Sequence, residues 1–297
     1  MRFHLRSEDS AGRFASSRRP RDWSVSSPSL TAYRQIKRIH IGTPYPMKIS
    51  VITAVYNSQE TVGEAIESVG RQTHPELEHL IIEGKSKDGS LAAIERASHD
   101  RMFLVSERDK GIYDALNKGV AQASGDIVGF VHSDDFLAHD NVLTRIAAAF
   151  EDPQVEAVFS NLDYVSQADT TKVVRHWATG PYSAAKLKRG WMPAHPTLYL
   201  RRSVYERLGG FDTSFRIAAD YDFILRYFSQ ATGGSVYVPE VLYKMRLGGV
   251  SNRNLARIRE KMGEDWRAIR RNKVGGVMTL ANKNLSKLGQ FVERQKS

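Results

Sequence analysis

The sequence predicts an α/β protein in which a mostly parallel sheet carries helices on both faces. Three observations support this prediction. Short apolar, β-rich runs alternate with helical periods from residue 49 onward, the runs end in polar turn residues, and the run Ile127–Val131 after Gly125 is apolar throughout. Strands covered by helices on both faces have such continuous apolar runs. Strands that alternate with helices favour parallel pairing through right-handed crossovers.

The first half of the chain is predicted to alternate regularly between strands and helices. Strand Ile49–Val55 ends at Tyr56-Asn57-Ser58, a turn and helix-cap signal. A helical period begins near Val62 and stops at His74-Pro75, because the residue before proline disfavours helix. The later elements are strands at Glu78–Ile82, Met102–Ser106 and Ile127–Val131, with helices at Leu91–Ala97 and Gly111–Ala123.

The second half is patterned less regularly. The apolar periods predict a helix at Asn141–Phe150, a strand at Val155–Ser160, short strands around Val173, and a strand that ends at Leu200. A helix opens at Ile217 with acids in its first turn, where the helix dipole favours them. Two further strands are predicted at Val236–Val238 and Leu242–Met245.

Charge and composition limit the classes of function. The 297 residues contain no cysteine, which excludes disulfides, thiolate metal sites and cysteine nucleophiles and fits a reducing, cytoplasmic compartment. The net charge of +10 lies in the two ends, because residues 1–46 carry +6, residues 252–297 carry +8, and the body between them carries −4. A nucleic-acid-binding protein would carry its basic stripe on the folded body, so we predict no nucleic-acid partner.

Three regions follow from these patterns. Residues 1–46 are rich in Arg, Ser and Pro, and are predicted to be a disordered or mis-called extension before a natural start at Met47. Residues 47–251 form the body. Residues 252–297 are predicted to form two basic amphipathic helices, with one apolar stripe from Leu255 to Ile269 and a second from Val277 to Val292. Such helices either pack on the body with a solvated basic face or lie on an anionic membrane surface, and the pattern leaves both open.

The chemistry is predicted to centre on Asp134 and Asp135, which directly follow the Ile127–Val131 strand. Ligands of open α/β sheets bind beyond the carboxyl ends of the strands. Two carboxylates there suit a divalent cation that in turn holds phosphates. The alternative is a helix cap or a solvated turn. Neither G-x-G-x-x-G nor G-x-x-x-x-G-K-[ST] occurs in the chain, which weakens dehydrogenase and P-loop interpretations.

Six motifs resemble, in order, those of the family 2 glycosyltransferases of the GT-A fold, and within them the colanic-acid and exopolysaccharide branch. They are Ile49–Asn57, Glu83–Ser90, Asp109–Gly119, Gly125–Asp135, Leu208–Asp212 and Ala219–Arg226. The resemblance covers residues 47–251 and implies a nucleotide-sugar half at 47–135 and an acceptor half at 136–251. It also implies one antiparallel strand near the centre of the sheet.

The resemblance further implies an activity. It is the inverting, Mn²⁺- or Mg²⁺-dependent transfer of one hexosyl or N-acetylhexosaminyl group from a UDP- or GDP-sugar to a hydroxyl of a glycan or lipid-linked acceptor. The pathway would be surface polysaccharide or lipopolysaccharide biosynthesis, at the inner face of the cell membrane. A nucleotidyltransferase and a non-catalytic carbohydrate- or nucleic-acid-binding module are the competing hypotheses.

By the same resemblance, Asp135 is the direct metal ligand, Asp134 contacts the ribose or the metal through water, and Asp220 is the general base. Asp222 is the rival base, and as an ordinary helix N-terminal acid Asp220 would only be stabilised by the dipole. The remaining expectations assign two groups of residues. The donor side comprises Thr53, Ala54, Val55, Asn57, Glu83, Lys110, Asp114 and Asn117, and the acceptor side comprises Trp191, His195 and Asp222.

Two departures from the family pattern matter. Many members have two acids where this chain has Glu83-Gly84, which leaves the nucleotide base open, and many have Glu where this chain has Ala219. The Gln-x-x-Arg-Trp motif of processive synthases is absent, so single-sugar addition is favoured over polymerisation.

Overall fold

The computed structural model describes residues 46–247 and 255–289, all of which belong to one compact unit. Two sequence predictions therefore lie outside the described residues. They concern the extension at residues 1–46 apart from its last residue, and the end of the second apolar stripe at Val292.

The described residues form a nine-stranded sheet in the order β3-β2-β1-β4-β8-β6-β9-β5, with β7 paired to the C-terminal part of β6. The strands are β1 Ile49–Val55, β2 Leu77–Glu83, β3 Met102–Ser106, β4 Ile127–Phe130, β5 Phe136–Leu137, β6 Val155–Val165, β7 Val173–Trp177, β8 Tyr199–Arg201 and β9 Gly234–Arg246. The helices are α1 Val62–Gly70, α2 Ser90–Arg96, α3 Ile112–Gln122, α4 Val142–Ala149, α5 Ala184–Lys188, α6 Arg202–Leu208, α7 Ala219–Gln230, α8 Leu255–Arg271 and α9 Val277–Gly289.

The first four strands run parallel, as predicted. Strand β1 lies between β2 and β4, with Val55 opposite Glu83 and Ile49 opposite Ile127. Its residues alternate between two cores because successive strand side chains point to opposite faces. Ile52 packs with α3, α6 and α7, whereas Ile49 and Val51 pack with α1 and α4. The carboxyl ends of these strands therefore meet at one edge of the sheet.

An antiparallel strand lies near the centre of the sheet, as the resemblance implied. Strand β8 pairs antiparallel with both β4 and β6. Its Tyr199 packs so closely on β4 that a Cβ on Gly129 would lie 2.1 Å from the Tyr199 ring. Glycine at position 129 is thus required for the two strands to pair beneath the aspartates.

The predicted strands at 236–238 and 242–245 are wrong as separate elements, because they form the single strand β9. The interruption in the pattern is a bulge: Ser160 faces Val238 while the next residue, Asn161, faces Val241, so Pro239 and Glu240 stand outside the pairing. Proline cannot donate a ladder hydrogen bond, and a bulge tolerates it. Strand β6 likewise continues five residues beyond the predicted end at Ser160.

The C-terminal helices pack against the body. Ala268 and Ile269 of α8 and Lys283 of α9 are buried. Lys283 is therefore not part of a solvated basic face, because its Nζ lies 2.6 Å from an Asp265 carboxylate oxygen and 3.5 Å from the centre of the Tyr221 ring. An exposed apolar face remains on α9, formed by Val277, Met278 and Leu285. Within the described part of the chain, each helix is too short or too polar to cross a membrane.

Candidate active site

Two cavities open where the parallel strands end. The larger, which we call the strand-end cavity, has a volume of about 1060 Å³ and is walled by residues 54–61 together with the ends of β2 and β3. The smaller, the aspartate cavity, has a volume of about 490 Å³. The two share four lining residues: Ala54, Ile112, Ser133 and Asp134. Asp134 therefore stands at the boundary between them.

Two left-handed residues shape the floor of the strand-end cavity. Asn57 (φ 51°) and Lys85 (φ 62°) follow β1 and β2, and asparagine tolerates this conformation better than most residues. The amide oxygen of Asn57 accepts a hydrogen bond from the Lys87 backbone N–H at 2.9 Å, and the Asn57 N–H donates to Ser86 Oγ at 3.0 Å. These bonds fasten the two strand-end turns to each other.

The paired aspartates have different environments. Asp134 is partly exposed and lines both cavities, whereas Asp135 is fully buried at the wall of the aspartate cavity. Asp135 accepts hydrogen bonds from the Arg246 N–H at 3.0 Å and the Tyr243 hydroxyl at 3.3 Å. Burial and then the neighbouring charge of Asp134 raise the pKa of Asp135 well above its usual value, and the hydrogen bonds offset only part of this rise.

These two carboxylates fit a divalent cation. A nearby dication would favour the ionised form of Asp135, which burial disfavours. The described residues contain no group of three or more His, Asp or Glu side chains arranged to hold a metal by themselves. Magnesium-type sites commonly use one or two carboxylates and complete their shell with water and substrate phosphates. The site therefore suits a cation that arrives with a phosphorylated ligand.

Asp220, in the first turn of α7, also lines the aspartate cavity. Its carboxylate is 3.6 Å from His195 Nδ1 and 3.2 Å from the Tyr113 hydroxyl. Burial alone would raise the pKa of Asp220. The charges of His195, Lys261 and Lys283 and a hydrogen bond from the Tyr221 backbone outweigh burial and hold this pKa below its usual value. Asp220 is thus an ionised carboxylate that faces the cavity.

His132 also lines the aspartate cavity. Its ring centre lies 5.4 Å from that of His195. Burial lowers the pKa of His132, and the charges of Asp134 and Asp220 act against this shift. Its backbone N–H donates to the Tyr243 hydroxyl, which in turn donates to Asp135. His132 and Tyr113 were not among the predicted site residues, although both lie inside the motifs that carry the resemblance.

The structure brings only part of the predicted donor set to the cavities. Ala54, Val55, Asn57 and Asp134 line the strand-end cavity. Thr53 is fully buried beneath it, with Oγ1 3.0 Å from His79 Nε2.

Glu83 is also placed away from the predicted donor contact. It is only 2% exposed and accepts hydrogen bonds from the Ser86 N–H and the Ser106 hydroxyl. The Glu83 carboxylate thus binds the turn after its own strand and the end of β3, a contact that a strand pattern cannot show.

The three predicted donor residues of the α3 region are also used internally. Asn117 donates to the Phe211 carbonyl at 2.8 Å and accepts from the Phe211 N–H at 2.7 Å, so its mid-helix amide anchors the turn after α6. Asp114 accepts from the Lys110 N–H at 3.0 Å and lies 3.6 Å from Lys118. Asp114 thus binds the backbone at the start of α3 and Asn117 binds the turn after α6, and neither these two residues nor Lys110 lines the two cavities.

Of the three predicted acceptor-side residues, His195 lines the aspartate cavity, whereas Trp191 and Asp222 do not. Trp191 packs among Phe159, Tyr182 and Phe228, and its indole N–H donates to the Thr179 carbonyl at 2.8 Å. Asp222 is fully buried and accepts a hydrogen bond at 2.9 Å from the side chain of Asn272, the residue that follows α8. Two residues along a helix turn a side chain to a different face, so Asp222 points away from the cavity that Asp220 lines.

Sequence reasoning missed the charged rim of the strand-end cavity. Asp109 is the most informative member, because a Cβ on Gly84 would lie 2.8 Å from Asp109 Oδ2. The Asp109 carboxylate therefore lies directly beside the position at which many family members have a second acid. The other charged members of this rim are Lys85, Lys87, Asp88, Arg108 and Arg246. Lys85, Lys87, Asp88 and Asp109 lie inside the motifs Glu83–Ser90 and Asp109–Gly119, but a charged residue in a turn is ordinarily solvated, so the sequence did not single them out.

Comparison with known proteins identifies the family. The model of the family described as "Glycosyl transferase family 2" matches residues 50–217. The chain belongs to this family. An uncharacterised glycosyltransferase of Mycobacterium tuberculosis is 31% identical over 182 residues, which cover 60% of this chain and 68% of that protein. A PGL/p-HBAD biosynthesis glycosyltransferase of Mycobacterium bovis is 26% identical over 208 residues, which cover 68% of this chain and 78% of that protein. The chain is thus a glycosyltransferase.

Solved structures agree on the fold. TarS of S. aureus, residues 1–349 in complex with UDP, aligns with a TM-score of 0.60 at 19% identity and covers 84% of this chain and 71% of that one. The mannosyltransferase PcManGT from Pyrobaculum calidifontis, in complex with GDP-Man and Mn²⁺, aligns with a TM-score of 0.58 at 20% identity. The alignment covers 85% of this chain and 77% of that one. The predicted GT-A fold is confirmed, whereas the colanic-acid and exopolysaccharide branch stays a prediction.

Proposed function

We propose that this glycosyltransferase moves one sugar from a nucleotide-sugar to an acceptor hydroxyl with inversion, using Asp220 as the base and a divalent cation at Asp134 and Asp135. The observation that carries the proposal is the placement of Asp134 and Asp220 on the wall of one cavity, from opposite halves of the chain. A carboxylate that faces the metal pair across a sugar-sized space is what a single-displacement reaction requires.

The strand-end cavity is the proposed donor site. Its basic lining residues, Lys85, Lys87, Arg108 and Arg246, suit the two phosphates of a nucleoside diphosphate. TarS was solved with UDP and with UDP-GlcNAc, and PcManGT with GDP-Man and Mn²⁺. These neighbours support a UDP- or GDP-sugar as donor and Mn²⁺ or Mg²⁺ as cofactor. Asp109 and Tyr56, beside Gly84, are the side chains proposed to contact the nucleoside.

The chemistry follows from the charges of the aspartate cavity. A cation held by Asp134 and Asp135 would neutralise the charge that grows on the departing diphosphate. Asp220 is ionised at neutral pH because its pKa is lowered, so it accepts the proton of the acceptor hydroxyl as that oxygen attacks. His195, 3.6 Å away, stabilises the carboxylate in this form. Attack from the Asp220 side, opposite the diphosphate, inverts the anomeric carbon.

The acceptor is proposed to be a glycan or lipid-linked glycan of surface polysaccharide biosynthesis, met at the inner face of the cell membrane. The exposed apolar face of α9 and the +8 charge of residues 252–297 support contact with an anionic lipid surface.

The test is incubation of the purified protein with a panel of UDP-, GDP- and dTDP-sugars, with Mn²⁺ and with EDTA, followed by separation of the nucleotide products. Glycosyl transfer releases a nucleoside diphosphate in the Mn²⁺ arm, and a donor that binds raises the melting temperature. Release of pyrophosphate instead would support the nucleotidyltransferase hypothesis. If a donor binds without being turned over, and Asp220→Asn binds that donor as well as wild type does, the result would support a non-catalytic binding module.

A further inference from the structure

The segment immediately before Asp220 is held by a carboxylate from a distant helix. Glu264, on α8, accepts hydrogen bonds from three consecutive backbone N–H groups. Its Oε1 lies 2.8 Å from the Arg216 nitrogen, and its Oε2 lies 2.9 Å from the nitrogens of Ile217 and Ala218. One side chain thus satisfies three backbone donors at the entry to α7, two residues before the proposed base.

Helix α7 needs such a partner because its own sequence does not supply one. The residue at its N-cap is Ala218, which has no side-chain oxygen, and the helix shows no side-chain cap hydrogen bond. The first N–H groups of a helix and of the turn before it lack intrahelical acceptors. A Ser, Thr, Asp or Asn normally supplies the missing oxygen from the N-cap itself. Here the acceptor comes from Glu264, 46 residues further along the chain.

Other contacts hold the same segment from two sides. Arg267, one turn along α8 from Glu264, donates to the Ser214 carbonyl at 2.9 Å. From the opposite side, the Tyr113 hydroxyl of α3 donates to the Ile217 carbonyl at 2.7 Å. Ala268 and Ile269, both fully buried, fix α8 against the core. Because α8 is anchored independently, Glu264 is a rigid support for the loop.

We propose that Glu264 is a positioning residue, whose carboxylate fixes residues 216–218 so that Asp220 faces the aspartate cavity. The proposal rests on the proposed role of Asp220 as the base. Glu264 lies outside residues 50–217, where the family model matches. Helix α8 also supplies Arg257 and Glu260 to the wall of the aspartate cavity. Helix α8 therefore contributes to the proposed site rather than being an appended tail.

The experiment compares wild type with Glu264→Ala, Glu264→Gln and a control, Glu206→Ala. Glu206 is a solvent-exposed carboxylate on α6 that pairs only with Arg202 of its own helix among the described residues. Steady-state kinetics give kcat and donor KM, and hydrogen–deuterium exchange follows the backbone amides of residues 216–218. Melting temperatures are measured alongside, and the isosteric Gln variant serves if the Ala variant does not fold.

The expected result is a loss in kcat with little change in donor binding. Glu264→Ala lowers kcat about 100-fold, as small displacements of a catalytic group do, while the donor KM stays within about threefold. Glu264→Gln keeps one carbonyl oxygen as an acceptor and recovers part of the loss. Residues 216–218 exchange faster in both variants, and Glu206→Ala behaves as wild type.

Two contrary results separate the inference from the proposed function. If wild type turns over a donor and Glu264→Ala has an unchanged kcat, the inference is overturned while the proposed function stands. If wild type shows no turnover on any donor, the proposed function fails, even where the exchange data show the Glu264 hydrogen bonds. A loss confined to donor KM would also overturn the inference, because it would place Glu264 in donor binding.

Discussion

The two sides of the proposed site are built in different ways. The donor side is formed by the ends of β1, β2 and β4, which are neighbouring parallel strands. The turns after β1 and β2 are bonded to each other through Asn57 and Ser86, and Ser58 Oγ lies 2.9 Å from Ser133 Oγ in the turn after β4. The base side is formed where α7 meets α8, through contacts such as Glu264 with Ala218 and Asn272 with Asp222. The donor side depends on local strand order, whereas the base side depends on packing between distant segments. Substitutions should therefore separate donor binding from turnover.

The largest expected effect is on the base. Asp220→Asn removes the proton acceptor and should lower kcat about 10²- to 10⁴-fold, the usual contribution of general-base catalysis, with little change in donor affinity. Glu206→Gln is the control, because Glu206 is a solvent-exposed carboxylate on α6 that pairs with Arg202 of its own helix. Turnover measured by nucleoside diphosphate release, with donor affinity from calorimetry, checks both variants. Near-normal kcat in Asp220→Asn would require another base.

The next effect is on the donor side. Asp134→Asn should weaken donor binding in the presence of Mn²⁺ about 10- to 100-fold, the range typical of disturbed metal sites, and should abolish the dependence of affinity on Mn²⁺. Asp140→Asn is a suitable control, since Asp140 is exposed and pairs with Arg71. Titration calorimetry with and without EDTA measures the effect. Equal Mn²⁺ dependence in Asp134→Asn and wild type would remove Asp134 from the metal site.

A smaller effect concerns the pH dependence of turnover. The pKa of Asp220 lies below its usual value, so activity is present at neutral pH and is lost as the pH falls through that lowered value. His195→Gln removes the charge that does most to counteract the effect of burial on the pKa of Asp220. The pKa of Asp220 should then rise and the acid limb of kcat should move to higher pH, with less than about a tenfold loss at pH 7.

A pH–rate series of wild type, His195→Gln and His176→Gln checks the sign. His176 is half-exposed and paired with Asp163 on the β6–β7 hairpin, so its replacement should leave the acid limb in place. Movement of the acid limb to lower pH in His195→Gln would contradict the assignment of Asp220 as the titrating base.

The smallest effect on turnover is expected at α9. Leu285→Asp disrupts its exposed apolar face and should lower partitioning onto anionic vesicles about tenfold, with kcat on a water-soluble acceptor unchanged. Leu91→Asp is the control, because Leu91 is an exposed leucine on α2 and does not belong to the apolar face of α9. Cosedimentation with vesicles of anionic and of neutral lipids measures it. Equal binding of the two variants would remove α9 from membrane contact.

The sequence allowed the donor side to be predicted better than the base side. Alternating strands and helices were enough to place Ala54, Asn57 and Asp134 at one sheet edge, because parallel strands share that edge. The resemblance also assigned Thr53, Glu83 and Asn117 to the donor side, whereas the polar groups of these residues are bound inside the fold. Neither the strand pattern nor the resemblance could identify Glu264, because a glutamate on an amphipathic helix looks solvated until the partner helix is known. The central antiparallel β8 came from the resemblance alone.

The most direct test of the account is an experimental structure with a nucleoside diphosphate-sugar and Mn²⁺ bound to Asp220→Asn, the variant expected to bind the donor without consuming it. The account predicts the nucleoside in the strand-end cavity beside Tyr56 and Asp109. It predicts Mn²⁺ between the diphosphate and the carboxylates of Asp134 and Asp135, with the anomeric carbon of the sugar facing residue 220 across the aspartate cavity. A nucleotide bound elsewhere, or a sugar whose anomeric carbon faces away from residue 220, would contradict it.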